Sequence, residues 1–136
     1  HKNEKLIWFR TKRKIPKIPK YNIPLLNKTK IIVVNRELKQ ANILFGHIGI
    51  KRNNPDYYAI SVMNYILGGG GFVSRLMNRI REQMGLVYDV HSLFSTNLLK
   101  GVFQINLQTK NSFAKKVIKI IKEELRKIQT DPVTET

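Results

Sequence analysis

The side chains best suited to chemistry lie in one short segment, residues 74–90, which reads S-R-L-M-N-R-I-R-E-Q-M-G-L-V-Y-D-V. The pattern predicts a helix that ends at Gly85 and a strand that follows, with Arg81 in the last helical turn and Tyr88 on the strand. A helix-to-strand reversal at Gly85 brings such side chains near each other. A guanidinium and a phenol side by side are donors suited to a peptide carbonyl or a developing oxyanion. A second interpretation stays open, with Arg81 stabilised by the helix dipole and Tyr88 in the core.

No self-contained catalytic or metal centre is predicted. The histidines, His1, His47 and His91, do not stand at metal-ligand spacing, and neither H-E-x-x-H nor H-x-x-E-H occurs. Asp89 and His91 share one face of the predicted strand, which leaves open either an acid–base pair or an exposed strand edge. His47 is expected to be a packed or solvent-facing residue. The carboxylates are few, and cysteine is absent.

Four consecutive glycines at 68–71 precede the arginine-bearing helix. Helix N-termini bind anions, so a phosphate cradle is one interpretation. The lysine and Ser/Thr of a P-loop are missing, and a sharp helix-to-helix connection that needs positive φ is the favoured alternative. In a third interpretation the bare backbone of Gly69, Gly70 and Gly71 contacts an extended peptide.

The strands of the chain are predicted in pairs. Residues 31–34 (I-I-V-V) and 41–50 predict the first two strands, and 86–94 and 101–107 predict an antiparallel hairpin. Between the pairs lie two helices, and a long helix closes the order β-β-α-α-β-β-α. That order predicts an α+β fold with helices packed on one face of a mainly antiparallel sheet.

The helix boundaries and stripes follow from local signals. Asn54 is the expected cap of the first helix, with Pro55 at its first position. The second helix is expected to bury Leu76, Ile80 and Met84 on one stripe. Asn111 or Ser112 is expected to cap the last helix, which buries Phe113, Val117, Ile121, Leu125 and Ile128.

Residues 1–28 are interpreted as a lead-in or linker segment with a short strand at 6–9, and residues 130–136 as the opening of a further helix. Eight of the basic residues lie within the first twenty. We interpret the net charge of +16 as a solvated lead-in and a solvated helix face, since aromatic residues are not interleaved with the cations as nucleic-acid stacking requires. No specific nucleic-acid partner is therefore expected. No apolar run approaches the ~20 residues of a membrane span.

The run N-Y-I-L-G-G-G-G-F-V-S-R-L-M-N-R-I-R-E-Q-M-G-L-V-Y-D-V at 64–90 resembles the signature of the second homologous domain in pitrilysin-family (insulinase-family) zinc metallopeptidases. Flanking features agree, among them Pro55-Asp56 and the G-V-F-Q strand at 101–104. The departures are Gln83-Met84, where a basic pair is frequent, and Val87, where alanine is frequent.

The resemblance implies a role in holding substrate. In that family one domain carries the H-x-x-E-H zinc motif, and the second domain supplies an arginine and a tyrosine that contact substrate near the scissile bond. Arg81 and Tyr88 match those two positions, with Gly69, Gly70 and Gly71 as a further candidate wall of the peptide-binding chamber. The implied partners are a peptide substrate and a zinc-bearing domain or subunit, with zinc there and no cofactor in this chain.

Further expectations concern the extent of the domain, its self-association, its alternative functions and its compartment. Residues 29–136 are expected to form a partial second domain, since a whole one is longer. Such an incomplete domain is expected to self-associate. The alternative function is a non-catalytic scaffold or partner subunit of a two-chain peptidase, and a polyanion-binding module built on the positive charge ranks below both. The bacterial periplasm or cytoplasm is the expected compartment.

Overall fold

A computed structural model of the chain describes residues 22–24 and 26–131. One antiparallel sheet carries helical segments on one face, which confirms the predicted α+β class. The strand expected at 6–9 and most of the helix opening expected at 130–136 lie outside the described residues. The elements are β1 (Gln40–Ile48), α1 (Tyr57–Asn64), a first π-helical turn (Tyr65–Gly69), a 3-10 turn (Gly71–Val73), a second π-helical segment (Met77–Gln83), β2 (Val87–Ser95), β3 (Val102–Lys110), a 3-10 turn (Asn111–Phe113) and α2 (Ala114–Thr130).

The three strands lie in the order β1-β3-β2, and both pairings are antiparallel. The predicted β2–β3 hairpin is therefore confirmed. Along β3 the odd-numbered residues Phe103, Ile105, Leu107 and Thr109 are buried. Alternate side chains of a strand point to opposite faces, so the even-numbered residues of β3 define the open face of the sheet.

The predicted strand at 31–34 is wrong. These residues form no strand and are unpaired within the described part of the chain, and the exposed fractions of their side chains are 70–82%. A β-branched run favours extended backbone, but it becomes a strand only when another strand supplies hydrogen bonds. The sheet instead begins at Gln40, and Asn111 Nδ2 donates to Leu38 O at 2.8 Å just before it.

The first helix begins two residues later than expected. Asn54 Oδ1 accepts a hydrogen bond from the Asp56 amide at 2.8 Å, so it stabilises the turn before the helix. The first helical residue is Tyr57, and Asp56 occupies the cap position without a side-chain hydrogen bond. The reason is that an Asn side chain competes for nearby amides in turn conformations as well as in caps.

The second helical segment buries Leu76 and Ile80 as predicted, but Met84 is 39% exposed and Met77 is buried in its place. The π-helical winding explains the change, because i→i+5 hydrogen bonds shift the apolar stripe away from the 3.6-residue period. Gly85 ends the segment with φ of 61°, as predicted.

The long helix α2 packs its predicted stripe against the sheet, with Val117 and Ile121 fully buried. Neither Asn111 nor Ser112 caps it, because a 3-10 turn precedes it and Phe113 takes the cap position. Its buried face also contains Glu124, which is 4% exposed. No helix among the described residues has the length and apolarity to cross a membrane.

Candidate functional site

Arg81 and Tyr88 meet on the surface of the molecule. The guanidinium carbon of Arg81 lies 5.3 Å from the centre of the Tyr88 ring and 4.7 Å from the centre of the Phe72 ring. Both separations lie within the range of a cation–π interaction. Arg81 is therefore held by two aromatic rings, and Phe72 is a member of this cluster that sequence reasoning missed.

The cluster is open to solvent. Tyr88 is 83% exposed, Phe72 is 65% exposed, and the side chain of Arg81 is 28% exposed. Within the described residues, Glu82 is the only charged partner of Arg81, with Nε 3.6 Å from Oε1. A long ion pair of this kind on a surface contributes little to stability. The guanidinium and the phenol therefore keep donor capacity for a ligand.

The turn at Gly85 brings the two residues together. The Gly85 amide donates to Arg81 O at 2.9 Å, and the Leu86 amide donates to Ile80 O at 3.0 Å. Gly85 supplies the left-handed conformation that this closure requires. The signal was readable in the sequence, since a lone glycine after an apolar stripe and before an alternating run predicts this reversal.

A β-bulge next to the turn sets the direction of Tyr88. Val87 lies opposite Thr109 and Val90 opposite Leu107, so both Tyr88 and Asp89 lie against the single residue Gln108. The extra residue leaves Val87 and Val90 both buried although they are three positions apart. Tyr88 is exposed as a result, which excludes the interpretation that places it in the core. Bulges are frequent next to functional sites, where they redirect side chains.

The glycine loop positions Phe72. Gly71 has φ of 61°, and a Cβ there would meet nothing within 4 Å, so conformation rather than space requires glycine. The buried Ser74 hydroxyl donates to Gly71 O at 2.6 Å and fixes the turn that presents Phe72. The favoured interpretation of the loop, a connection needing positive φ, agrees with this geometry.

Gly69 and Gly70, at the end of the first π-helical turn, are explained by close packing against residues at its start. A Cβ on Gly69 would lie 2.7 Å from Asn64 Nδ2, and one on Gly70 would lie 2.8 Å from Tyr65 O. The contact of these glycines with a peptide stays a prediction.

A buried ion pair connects the arginine-bearing segment to α2. Arg79 Nε lies 3.1 Å from Glu124 Oε1, and Lys127 Nζ lies 3.5 Å from the same oxygen. The Arg79 and Glu124 atoms are buried, and neither has a hydrogen-bond partner in the described part of the chain. The 3.1 Å contact is therefore an ion pair without hydrogen-bond alignment, and it fixes the segment two residues from Arg81.

The histidines form no metal centre in the described region. Asp89 Oδ2 and His91 Nδ1 lie 2.9 Å apart, with both side chains about half exposed. His47 packs its ring 5.0 Å from that of Phe103, and His1 lies outside the described residues. Across residues 22–24 and 26–131, no three His, Cys, Asp or Glu side chains come together in a group that could hold a metal ion.

Comparison with known proteins identifies a matching protein family. A family model described as "Peptidase M16 inactive domain" matches residues 2–136. An uncharacterized zinc protease of Streptomyces coelicolor is 31% identical over 106 residues, which are 78% of this chain and 23% of the relative. A protein of Helicobacter pylori described as a non-peptidase homolog is 39% identical over 103 residues, 72% of this chain and 24% of that relative.

A solved structure has a fold similar to that of this chain. The crystal structure of a peptidase M16 inactive domain from Pseudomonas fluorescens has a TM-score of 0.68 and 38% sequence identity, and the match covers 71% of this chain and 23% of that one. The chain thus spans about a quarter of the length of the curated relatives it matches.

Proposed function

The chain belongs to the peptidase M16 inactive-domain family, and from that premise we propose that it forms part of the peptide-binding wall of a zinc-dependent metalloendopeptidase. It has no hydrolytic ability of its own in this proposal. The observation that carries the proposal is the exposed cluster in which Phe72 and Tyr88 hold the Arg81 guanidinium. Two preorganised donors on a surface, with little competition from carboxylates, are suited to a peptide carbonyl.

The roles of the two donors follow from their chemistry. The guanidinium of Arg81 carries a permanent positive charge, so it stabilises the negative charge that develops on a carbonyl oxygen under attack. The phenol of Tyr88 donates one hydrogen bond from the neighbouring strand. The aromatic rings restrict the rotation of the guanidinium, which lowers the entropy lost when a ligand binds.

Zinc belongs in another domain or subunit in this proposal. The residues of this chain do not fit a zinc site, because the sequence lacks H-x-x-E-H and the described residues offer no ligand group. Support comes from the Streptomyces coelicolor relative, which is named a zinc protease and is much longer than this chain. When bound there, zinc would supply the activated water.

Substitutions in the complete peptidase test the proposal. Arg81→Ala or Tyr88→Phe is expected to lower peptide turnover about a hundredfold, since the loss of one preorganised oxyanion donor costs ~3 kcal/mol. Zinc content and the melting temperature are expected to stay near those of the parent. Arg75→Ala is the control, because it removes an equal charge outside the cluster. Equal and small losses in all three variants would contradict the substrate-binding role.

A non-catalytic partner subunit is the second candidate. The observation that favours it is the Helicobacter pylori relative, described as a non-peptidase homolog although it is 39% identical to this chain. A scaffold needs neither an exposed guanidinium nor an exposed phenol. If this candidate holds, Arg81→Ala and Tyr88→Phe leave peptide binding unchanged, and only variants at the contact with the zinc-bearing subunit lower turnover.

A further inference from the structure

The open face of the sheet differs in composition from the other large exposed surface. Beside Leu44 on β1 and His91 and Leu93 on β2, the central strand β3 carries a row of carboxamides at alternate positions. These residues, Gln104, Asn106 and Gln108, form what we term the carboxamide track, and Asn42 lies opposite Gln108.

Lysine and arginine are absent from the middle of this face in the described strands. The chain has 25 Lys and Arg residues, and the outer surface of α2 exposes several of them in succession. On the open face, by contrast, the described strands carry no Lys or Arg from the Gly46–Gln104–Leu93 row to the Asn42–Gln108 row, and Asp89 and His91 are the titratable side chains there. Lys110 lies at the end of β3 with Nζ 5.9 Å from the Phe113 ring centre, and Arg81 lies against Tyr88, 5.3 Å from the centre of its ring. The middle of the open face thus lacks, in its described strands, the cations that are frequent on the outer surface of α2.

The spacing of the track matches the repeat of an extended peptide. Residues two apart on a strand are separated by ~6.8 Å, and an extended ligand repeats its backbone N–H and C=O groups at the same interval. A carboxamide offers one acceptor and two donors, so each can pair with both kinds of backbone group. Three carboxamides in register therefore fit about four residues of extended backbone, whatever its side chains.

The track ends at the candidate site. The bulge places Tyr88 and Asp89 against Gln108, the last residue of the track. A cavity on the open face is lined by all three strands, with Tyr88, Asn106 and Gln108 among its residues. A peptide along β3 would thus reach the phenol that lies against Arg81.

We propose that the carboxamide track binds an extended, uncharged stretch of polypeptide backbone and leads it to the Arg81–Tyr88 cluster. This inference rests on the proposed function for its direction, and it names the substrate class as unfolded polypeptide recognised through its backbone. Selection by the charge of the side chains has no part in it.

The test is a titration of the isotopically labelled chain with an uncharged peptide of about ten alternating serine and alanine residues. The side-chain amide signals of Gln104, Asn106 and Gln108 are the readout. We expect saturable shifts of these signals. Two further peptides carry N-methyl groups, one on every second residue and the other on every residue. The fully methylated peptide is expected to bind at least about tenfold more weakly than the alternately methylated one, because only the latter keeps an edge of free N–H groups, and each lost hydrogen bond is worth about 0.5–1.5 kcal/mol.

Matched variants locate the binding. Asn106→Leu keeps the volume and removes the central carboxamide, so it is expected to weaken binding about 2- to 13-fold. Gln129→Leu on the exposed surface of α2 is the control and is expected to change nothing. If Asn106→Leu does not fold, Gln104→Met replaces it.

Two results would overturn the inference: equal affinities for the alternately and the fully N-methylated peptide, or shifts confined to the lysines of α2. The outcomes also separate the two proposals. Loss of binding in Asn106→Leu with full turnover in Arg81→Ala would support the track and contradict the cluster.

Discussion

The buried carboxylate of Glu124 gives the sharpest test of what holds the arginine-bearing segment in place. Its side chain is 6% exposed and its Oε1 lies 3.1 Å from Arg79 Nε, whereas the neighbouring Glu123 is 40% exposed and lies 3.9 Å from Arg79 Nη2. The two glutamates are adjacent in the sequence and chemically identical. The perturbation is therefore Glu124→Gln, with Glu123→Gln as the matched control.

The expected magnitude follows from burial. Removal of one partner from a fully buried pair costs about 3–5 kcal/mol, and an exposed pair is worth about 0–1 kcal/mol. The Arg79 side chain is 32% exposed and Glu123 lies 3.9 Å from it, so water and this second carboxylate relieve part of the charge that Glu124→Gln leaves behind. We expect Glu124→Gln to lower the free energy of unfolding by about 2 kcal/mol and the melting temperature by about 8 °C. Glu123→Gln is expected to cost less than about 1 kcal/mol.

Thermal and urea unfolding of the chain, followed by circular dichroism, measures both variants. A double variant, Arg79→Met with Glu124→Leu, adds a second comparison, because an apolar pair of similar volume commonly replaces a buried ion pair without loss. It is expected to be more stable than Glu124→Gln. The reasoning is refuted if the two single variants are equally stable, or if the double variant is the least stable of the three.

Three further predictions concern other parts of the chain. Gly68→Ala is expected to destabilise the fold more than Gly71→Ala in urea unfolding. The Cβ added at Gly68 would lie 2.8 Å from the Ser92 backbone nitrogen, whereas Gly71→Ala costs only about 1–2 kcal/mol for a left-handed residue. The reverse order of stabilities would contradict this prediction. Metal analysis after dialysis against trace zinc is expected to find no stoichiometric zinc, and one ion per chain would exclude our assignment of zinc to another domain. Sedimentation velocity is expected to detect self-association at high concentration, because the apolar side chains of residues 31–34 are 70–82% exposed. Val33→Lys is expected to reduce this self-association. An unsubstituted chain that stays monomeric would argue against an uncovered docking surface.

Local signals predicted much of the fold because they depend on neighbours in the sequence. The alternation at 101–107 and the apolar stripe of α2 require only the periods of strand and helix, and both elements form where they were expected. The stop at Gly85 depends on one residue that tolerates positive φ. The run at 64–90 predicted the family, and the match over residues 2–136 confirms it.

The tertiary structure decided whatever depends on a partner distant in the sequence. Residues 31–34 have strand propensity and stay unpaired in the described part of the chain, because hydrogen bonds to a second strand are needed to complete a strand. The bulge at Tyr88 is defined only against Gln108 of another strand, and the burial of Glu124 depends on the approach of Arg79 from another helical segment.

The candidate site shows the same division. The sequence by itself determined that Arg81 and Tyr88 would flank one turn, since seven residues and a glycine stop fix that reversal. It did not predict Phe72 as the second ring, nor the position of the β3 carboxamides next to Tyr88. Both depend on the rotation of one element against another, which is set by the packing of the whole core and by no residue alone.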